Sequence, residues 1–188
     1  MKGKQLSIVS SILMILAALL IFASLLFPWW KMEFWAPQYP EGLDIIVFPD
    51  KLEGDIDNIN ALNHYIGMKN FSEENFPELL YLKFLIAGLA VIVLSAAFIR
   101  KKAYLYFVLG LFVVGGALGV WDLKRWLKDF GTNLDPMAPI DMAPFVPPMF
   151  GENIVANFTT YSSLQTGSFL VVAAFILLLI PLWKDRRR

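Results

Sequence analysis

The sequence predicts a mainly α membrane protein: a four-transmembrane-helix bundle with a small extracytoplasmic α/β cap built from two long loops. Three observations predict it. Of 188 residues, 57% are hydrophobic and 17% charged, with a mean hydropathy of +0.59, whereas soluble domains run at about 45–50% and about 25%. Four stretches approach the roughly 20 helical residues that a hydrocarbon core requires. The basic residues between and beyond those stretches gather on one side. The whole chain, 1–188, reads as a single integral membrane domain.

Taken in order, the first span is expected at about Leu6–Trp30. Lys2 and Lys4 give it the look of a secretory signal, but its apolar run exceeds the usual length of about 7–15 residues and no small-residue cleavage site follows. It is therefore expected to stay as an anchor. The first external loop, about 31–78, opens with a β-rich run, Lys31–Trp35, and a turn-rich stretch, Ala36–Gly42. A second β-rich run, Leu43–Phe48, follows, with a third short strand at Lys51–Ile56. Asp57 reads as the N-cap of a helix over Asn58–Ile66, with Gly67 as its stop.

The second span, about Leu79–Ile99, carries Lys83 in its first turn, where the long side chain can snorkel to the interface. The third, about Ala103–Trp121, contains Gly115 and Gly119 at small-xxx-small spacing, with Gly110 and Gly116 nearby. Ala87, Gly88 and Ala90 offer a facing surface in the second span. Close packing between these helices inside the subunit is the expected use of the glycines, with a contact between subunits as the alternative. The second external loop, about 122–167, begins as a polar extension of the third span. It turns proline-rich over Pro136–Pro148, and its interleaved Ile140, Phe145, Val146 and Phe150 predict a rigid loop laid over a sheet. A strand over Ile154–Ser162 is expected to complete that sheet. Asn157-Phe-Thr159 fits the glycosylation sequon, a triplet common by chance. The fourth span is expected at about Ser168–Trp183.

Lys2, Lys4, Arg100–Lys102, Lys184 and Arg186–Arg188 supply nine of the sixteen basic residues and sit in three short segments. By the positive-inside rule these segments and both termini face the cytoplasm, and the two long loops lie outside the inner membrane. The six tryptophans, Trp29, Trp30, Trp35, Trp121, Trp126 and Trp183, all fall near expected membrane boundaries.

Composition excludes several functions. The chain has no cysteine and one histidine, so disulfides, thiolate zinc sites, iron–sulfur clusters and bis-histidine haem are ruled out within one subunit. Sixteen basic residues balance sixteen acidic ones, leaving no global field for nucleic acid. No ionisable residue lies in the middle of a span, which argues against a transporter or channel. No serine sits in a Gly-x-Ser-x-Gly elbow and no glycine-rich phosphate loop is present. Paired carboxylates such as Glu73/Glu74 and Asp55/Asp57 read as solvated loop charges. No enzymatic activity is expected.

One constellation remains. On a helical wheel Asn60, His64 and Met68 fall opposite the apolar stripe of Ile59, Leu62 and Ile66. Imidazole and thioether together suit copper, above all Cu(I), and five of the seven methionines (Met32, Met68, Met137, Met142 and Met149) fall in the external loops. The plainer alternatives are a methionine filling a gap in the cap and a histidine with a structural hydrogen bond. His64 and Met68 are thus candidate metal ligands, and Asn60, His64 and Met68 a candidate docking face. No other cofactor is indicated.

Three strings carry a family resemblance: Ala36-Pro-Gln-Tyr-Pro-Glu-Gly-Leu43, Leu62-Asn-His-Tyr-Ile-Gly-Met68, and Pro144-Phe-Val-Pro-Pro148 with the downstream Asn157-Phe-Thr159. Together they resemble small bacterial four-span membrane proteins of the NosB type, accessory proteins of nitrous oxide reductase gene clusters. The resemblance implies an accessory role beside a periplasmic copper enzyme. The expectation is a membrane protein that docks or helps assemble an extracytoplasmic respiratory or copper-enzyme partner. The alternatives are copper binding or delivery through His64 and Met68, and a structural subunit of a larger membrane complex.

Overall fold

The structure is a computed structural model that describes residues 5–141, 143–155 and 158–186, with only the backbone of Val155 and Phe158. Lys2, Lys4, Met142, Asn157, Arg187 and Arg188 lie outside the described residues. The chain forms five α-helices and five strands in the described residues, with four of the helices bundled at one end and the strands in a single sheet, with the remaining short helix against it, at the other.

Helix α1, Ile8–Ser24, starts at Ser7, whose Oγ accepts from the N–H of Ser10 at 3.3 Å. It ends well before Trp30. Leu25, Leu26 and Phe27 close the last turn with tight bonds to the carbonyls three residues back. Pro28 then follows, unable to donate and unfavourable to helix in the residue before it. The N–H of Trp29 bonds the carbonyl of Val47, so the chain has already joined the sheet. The expected first span is thus a helix of 17 residues. Three others are long and apolar enough to cross a membrane: α3, Glu78–Ile99, α4, Lys102–Thr132, and α5, Thr166–Lys184.

Between α1 and α3 lie β1 (Trp30–Ala36), β2 (Tyr39–Val47), β3 (Leu52–Gly54) and helix α2 (Ile56–Ile66). Between α4 and α5 lie β4 (Gly151–Val155) and β5 (Phe158–Leu164). The expected single strand over Ile154–Ser162 is therefore two strands, antiparallel and paired from Val155↔Phe158 to Gly151↔Ser162. The turn-rich Ala36–Gly42 contracts in the same way: Ala36 already pairs with Tyr39, and a bulge opposite Trp35 takes up the rest. The sheet order is β3-β2-β1-β5-β4, so strands from both loops share one sheet through the β1–β5 pairing.

Alternation along β1 sends Trp30 and Met32 to the inner face, where they pack with Leu127 of α4. The indole of Trp30 donates to the carbonyl of Met149 at 2.9 Å, so this tryptophan is part of the core between the sheet and α4. Lys31 points the other way and bonds Glu33 and Asp44, each at 3.0 Å. Burial lowers the affinity of its ammonium for the proton, but hydrogen bonds and charge from both carboxylates outweigh that and raise the pKa above the ordinary value.

In the bundle α1 is central, packed along both α3 and α5. Its Met14, Ala17, Ala18 and Ile21 are buried against α3 and α5 residues such as Ala90, Val93, Ala174 and Leu178. Small residues here let the helix axes approach. Helix α4 differs. Leu105, Val108 and Phe112 in its first part join the bundle core, and Leu127 and Phe130 are buried near the sheet. Every residue from 113 to 121 between them is exposed. A Cβ placed on Gly88, Gly110, Gly115, Gly116 or Gly119 would meet nothing within 4 Å. The expected glycine-mediated packing between the second and third spans is absent, and the alanines of α1, α3 and α5 do that work instead.

The bundle meets the sheet where α1 passes into β1 and β5 into α5. Gln165 N–H and Ser168 Oγ both donate to the carbonyl of Trp29, at 3.0 and 2.7 Å, and Gly167 N–H donates to Pro28 at 2.8 Å. A Cβ on Gly167 would fall 2.2 Å from the Trp29 ring, so only glycine allows this approach. At the opposite end, the buried carboxylate of Asp185 accepts from Ser7 N–H at 2.9 Å and Ser10 Oγ at 2.7 Å. Negative charge at a helix N-terminus is favourable, and the contact pins the end of α5 to the start of α1.

Candidate functional site

Helix α2 begins two residues earlier than its sequence suggests. Asp55 is the capping residue, but its carboxylate accepts from Asp44 N–H at 3.2 Å, and Asp57 lies in the first turn. The helix ends where expected: Gly67 adopts φ 74°, and its N–H bonds the carbonyl of Asn63. Left-handed geometry is routine for glycine and strained for other residues, which makes Gly67 a firm stop. The buried Ile59 packs with Leu43 and Ile45, anchoring α2 to the sheet.

The three candidate residues do not share a face. Asn60 is spent on the fold: its Nδ2 donates to the carbonyl of Phe71 at 2.8 Å, and its Oδ1 accepts from Phe71 N–H at 2.6 Å. Met68 lies beyond the left-handed turn at Gly67, so the wheel that placed it opposite the apolar stripe no longer applies. It is only 9% exposed. His64 is exposed, its ring set edge-on to Tyr65 at 6.1 Å between centroids. The donor set is therefore one exposed imidazole and one buried thioether. Among the described residues no group of three or more His, Asp or Glu side chains converges.

What the structure does build around His64 is a surface. The proline-rich segment docks on the C-terminal end of α2 through backbone bonds, Asp135 N–H to Gly67 O at 2.8 Å and Ile140 N–H to Tyr65 O at 3.0 Å. A third bond, Phe145 N–H to Gly131 O at 2.9 Å, ties it to α4. Of the four apolar residues expected to cover the sheet only Phe145 is half-buried, and the buried Pro147 lies against Gly131 of α4. Ile140, Val146 and Phe150 are all exposed, and Met137 is 87% exposed. Tyr65, Met137 and Ile140 thus stand out around the end of α2. Beside them a cavity of about 260 Å³ is lined by residues including Ile66, Leu134, Pro136 and Ile140, with Asp135 and Asp141 contributing carboxylates. Sequence reasoning passed over Tyr65. The available signal was an aromatic next to the helix stop and apolar residues among prolines, where no periodicity buries them.

Lower on the same side, an aromatic stack joins loop and helix. Phe71, Phe76 and Phe130 lie with centroids 4.6 to 6.4 Å apart, and Trp126 closes on Phe76 at 4.7 Å. Arg125 sits 4.7 Å from the Trp126 ring and bonds Glu78 at 2.6 Å and Asp122 at 2.7 Å, fixing the start of α3 to α4. These contacts hold the surface around α2 on a rigid base. Set against known proteins, the chain matches no family model, no curated protein and no solved structure.

Proposed function

We propose that this chain is a non-enzymatic accessory protein of the inner membrane that docks or helps assemble an extracytoplasmic respiratory or copper-enzyme partner through its cap. The observation that carries this reading is the exposed apolar set Tyr65, Met137 and Ile140 beside the exposed His64, gathered around the end of α2. Exposed apolar groups clustered on a rigid base are the ordinary mark of an interaction surface. In this reading α1 is the fourth span. At about 1.5 Å per residue its helix covers about 26 Å, and it lies packed along α3 and α5. Arg100, Lys101, Lys102, Lys184 and Arg186 gather at the bundle end away from the sheet, which supports cytoplasmic termini and an external cap.

Two experiments test it. A cysteine at Glu73 should react with a membrane-impermeant thiol reagent in intact cells and one at Lys101 should not; the reverse pattern overturns the orientation. Gentle-detergent purification from the native host, with mass spectrometry of what is retained, should recover a periplasmic metalloenzyme or its membrane subunits. Tyr65→Asp and Met137→Asp should abolish that retention in a protein that remains folded, and a copper chelator should leave it unchanged. Full retention by both variants overturns docking at this surface, and loss on chelation assigns the contact to copper at His64.

A further inference from the structure

The end of the bundle remote from the sheet contains a cleft of about 440 Å³, bounded by Ser7, Ile8 and Val9 at the start of α1, Arg100 at the end of α3, and Lys184 and Asp185 at the end of α5. Its charges are unevenly used. The Asp185 carboxylate is turned into the protein, buried at 1% exposure and committed to Ser7 and Ser10. Its backbone carbonyl accepts from the Lys102 ammonium. Lys184 lines the cleft with no ion pair among the described residues, and Lys101, next to Arg100 in the chain, and Arg186, two residues after Lys184, are exposed. The solvent-facing charge is cationic.

Arg100 adds a second observation. It is the one non-glycine residue among those described with a positive φ, 54°, at a helix-ending position that glycine takes without strain. What arginine supplies there is its guanidinium. Nε and one terminal nitrogen donate to the carbonyl of Leu6 at 3.0 and 2.6 Å, using two of the five N–H donors. The rest of the fork is left for another acceptor. The surroundings of the cleft are apolar: Ile8 and Val9 in its wall are exposed, as are Ile99 and, at 82%, Trp183. A cationic cleft with an apolar collar, at the level where three apolar helices end, has the two-part chemistry of a phospholipid: phosphate above, acyl chain below.

We propose that this cleft binds the phosphate of an anionic phospholipid, with Arg100 and Lys184 as its cationic contacts and an acyl chain along Ile8 and Val9. The proposal rests on the membrane reading above. Carbonate extraction of membranes tests that reading first and separately: release of the chain into the soluble fraction overturns both. For a chain that stays in the membrane, the full-length protein in a neutral maltoside detergent is mixed with phosphatidylglycerol or phosphatidylcholine, and retained lipid is read by native mass spectrometry. Phosphatidylglycerol should be retained at one per chain in preference to phosphatidylcholine. Lys184→Gln combined with Arg100→Gly, which relieves the backbone strain, should weaken it by about tenfold or more. Lys124→Gln with Lys128→Gln, exposed cations on the sheet-side part of α4, should leave retention unchanged. Equal retention of the two lipids, or undiminished phosphatidylglycerol on the Arg100/Lys184 variant, overturns the proposal. Displacement of the lipid by equimolar inorganic phosphate overturns it too, because the site is then one for free phosphate.

Discussion

Helices α1 and α4 are both apolar and both rich in small residues, yet they use those residues in opposite ways. In α1, Ala17 and Ala18 are buried between α3 and α5, and the neighbouring turns carry Met14 and Ile21 into the same core. In α4, Gly115, Gly116, Ala117 and Gly119 lie within nine consecutive exposed residues, 113–121, and the helix is held only before and after them. Small size permits close approach but does not bring a neighbour. That depends on where the rest of the chain sends the helices: α1 and α5 are drawn together by the strands that continue them, whereas α4 is tied at its far end to the aromatic stack and the proline-rich segment.

Paired substitutions sharpen the contrast. The largest effect is expected from truncation. Met14→Ala should destabilise the bundle by about 2–5 kcal/mol, the range for emptying a buried site, while Leu118→Ala should stay within about 0.5 kcal/mol. Reversible unfolding in mixed micelles, titrated with a denaturing detergent, measures both. Equal losses would mean that α4 is as tightly packed as α1. Enlargement should give the next largest difference. Ala17→Leu should cost about 1–3 kcal/mol through overpacking. Ala117→Leu, on an exposed stretch, should shift the same unfolding midpoint little or not at all.

The smallest effect separates the sheet from both helices. The Lys31 ammonium is held above its ordinary value of 10.5 by Glu33 and Asp44, in spite of partial burial. Its contribution is therefore complete below pH 10.5 and is lost as the pH rises through the higher, folded-state value. The network is near the surface, so the loss should be under about 1 kcal/mol. Raising the pH past that value should increase protease nicking of the cap, and Lys31→Met should remove the pH dependence. An unchanged pH profile in Lys31→Met would assign the effect to other groups.

The parts of this fold that were legible in the sequence are those fixed by local chemistry. Alternation marked β1 to within a residue, Gly67 marked the end of α2, and the apolar runs marked α3 and α5. The misses are tertiary. Within Ile154–Ser162 only Asn157 hints at a turn, with no Gly or Pro beside it, and the Thr, Tyr and Ser residues suit two paired strands as well as one. The end of α1 at Ser24 is set by Pro28 and by the pull of Val47 on Trp29, while the hydropathy continues to Trp30. At the candidate site, His64 lies at the surface as a helical wheel suggests, but Asn60 is taken by Phe71 and Met68 has left the wheel. Tyr65, Met137 and Ile140 come together only because backbone bonds draw the proline-rich segment onto α2, and no residue pattern encodes that.

The pairing of β1 with β5 continues the packing of α1 against α5. β5 leads into α5 at once and α1 reaches β1 through a short turn, the two junctions knitted together by Trp29 and Gly167, and the far ends are pinned where Asp185 meets Ser7. Mechanically the two halves form one stiff bar from Trp35 and Thr159 at the sheet to Ser7 and Asp185 at the opposite end. A push on the sheet cannot be absorbed by a slack hinge along this bar. It should arrive at the far end as tilt, while α4, packed at its two ends and exposed over residues 113–121, is the least held of the described bundle helices.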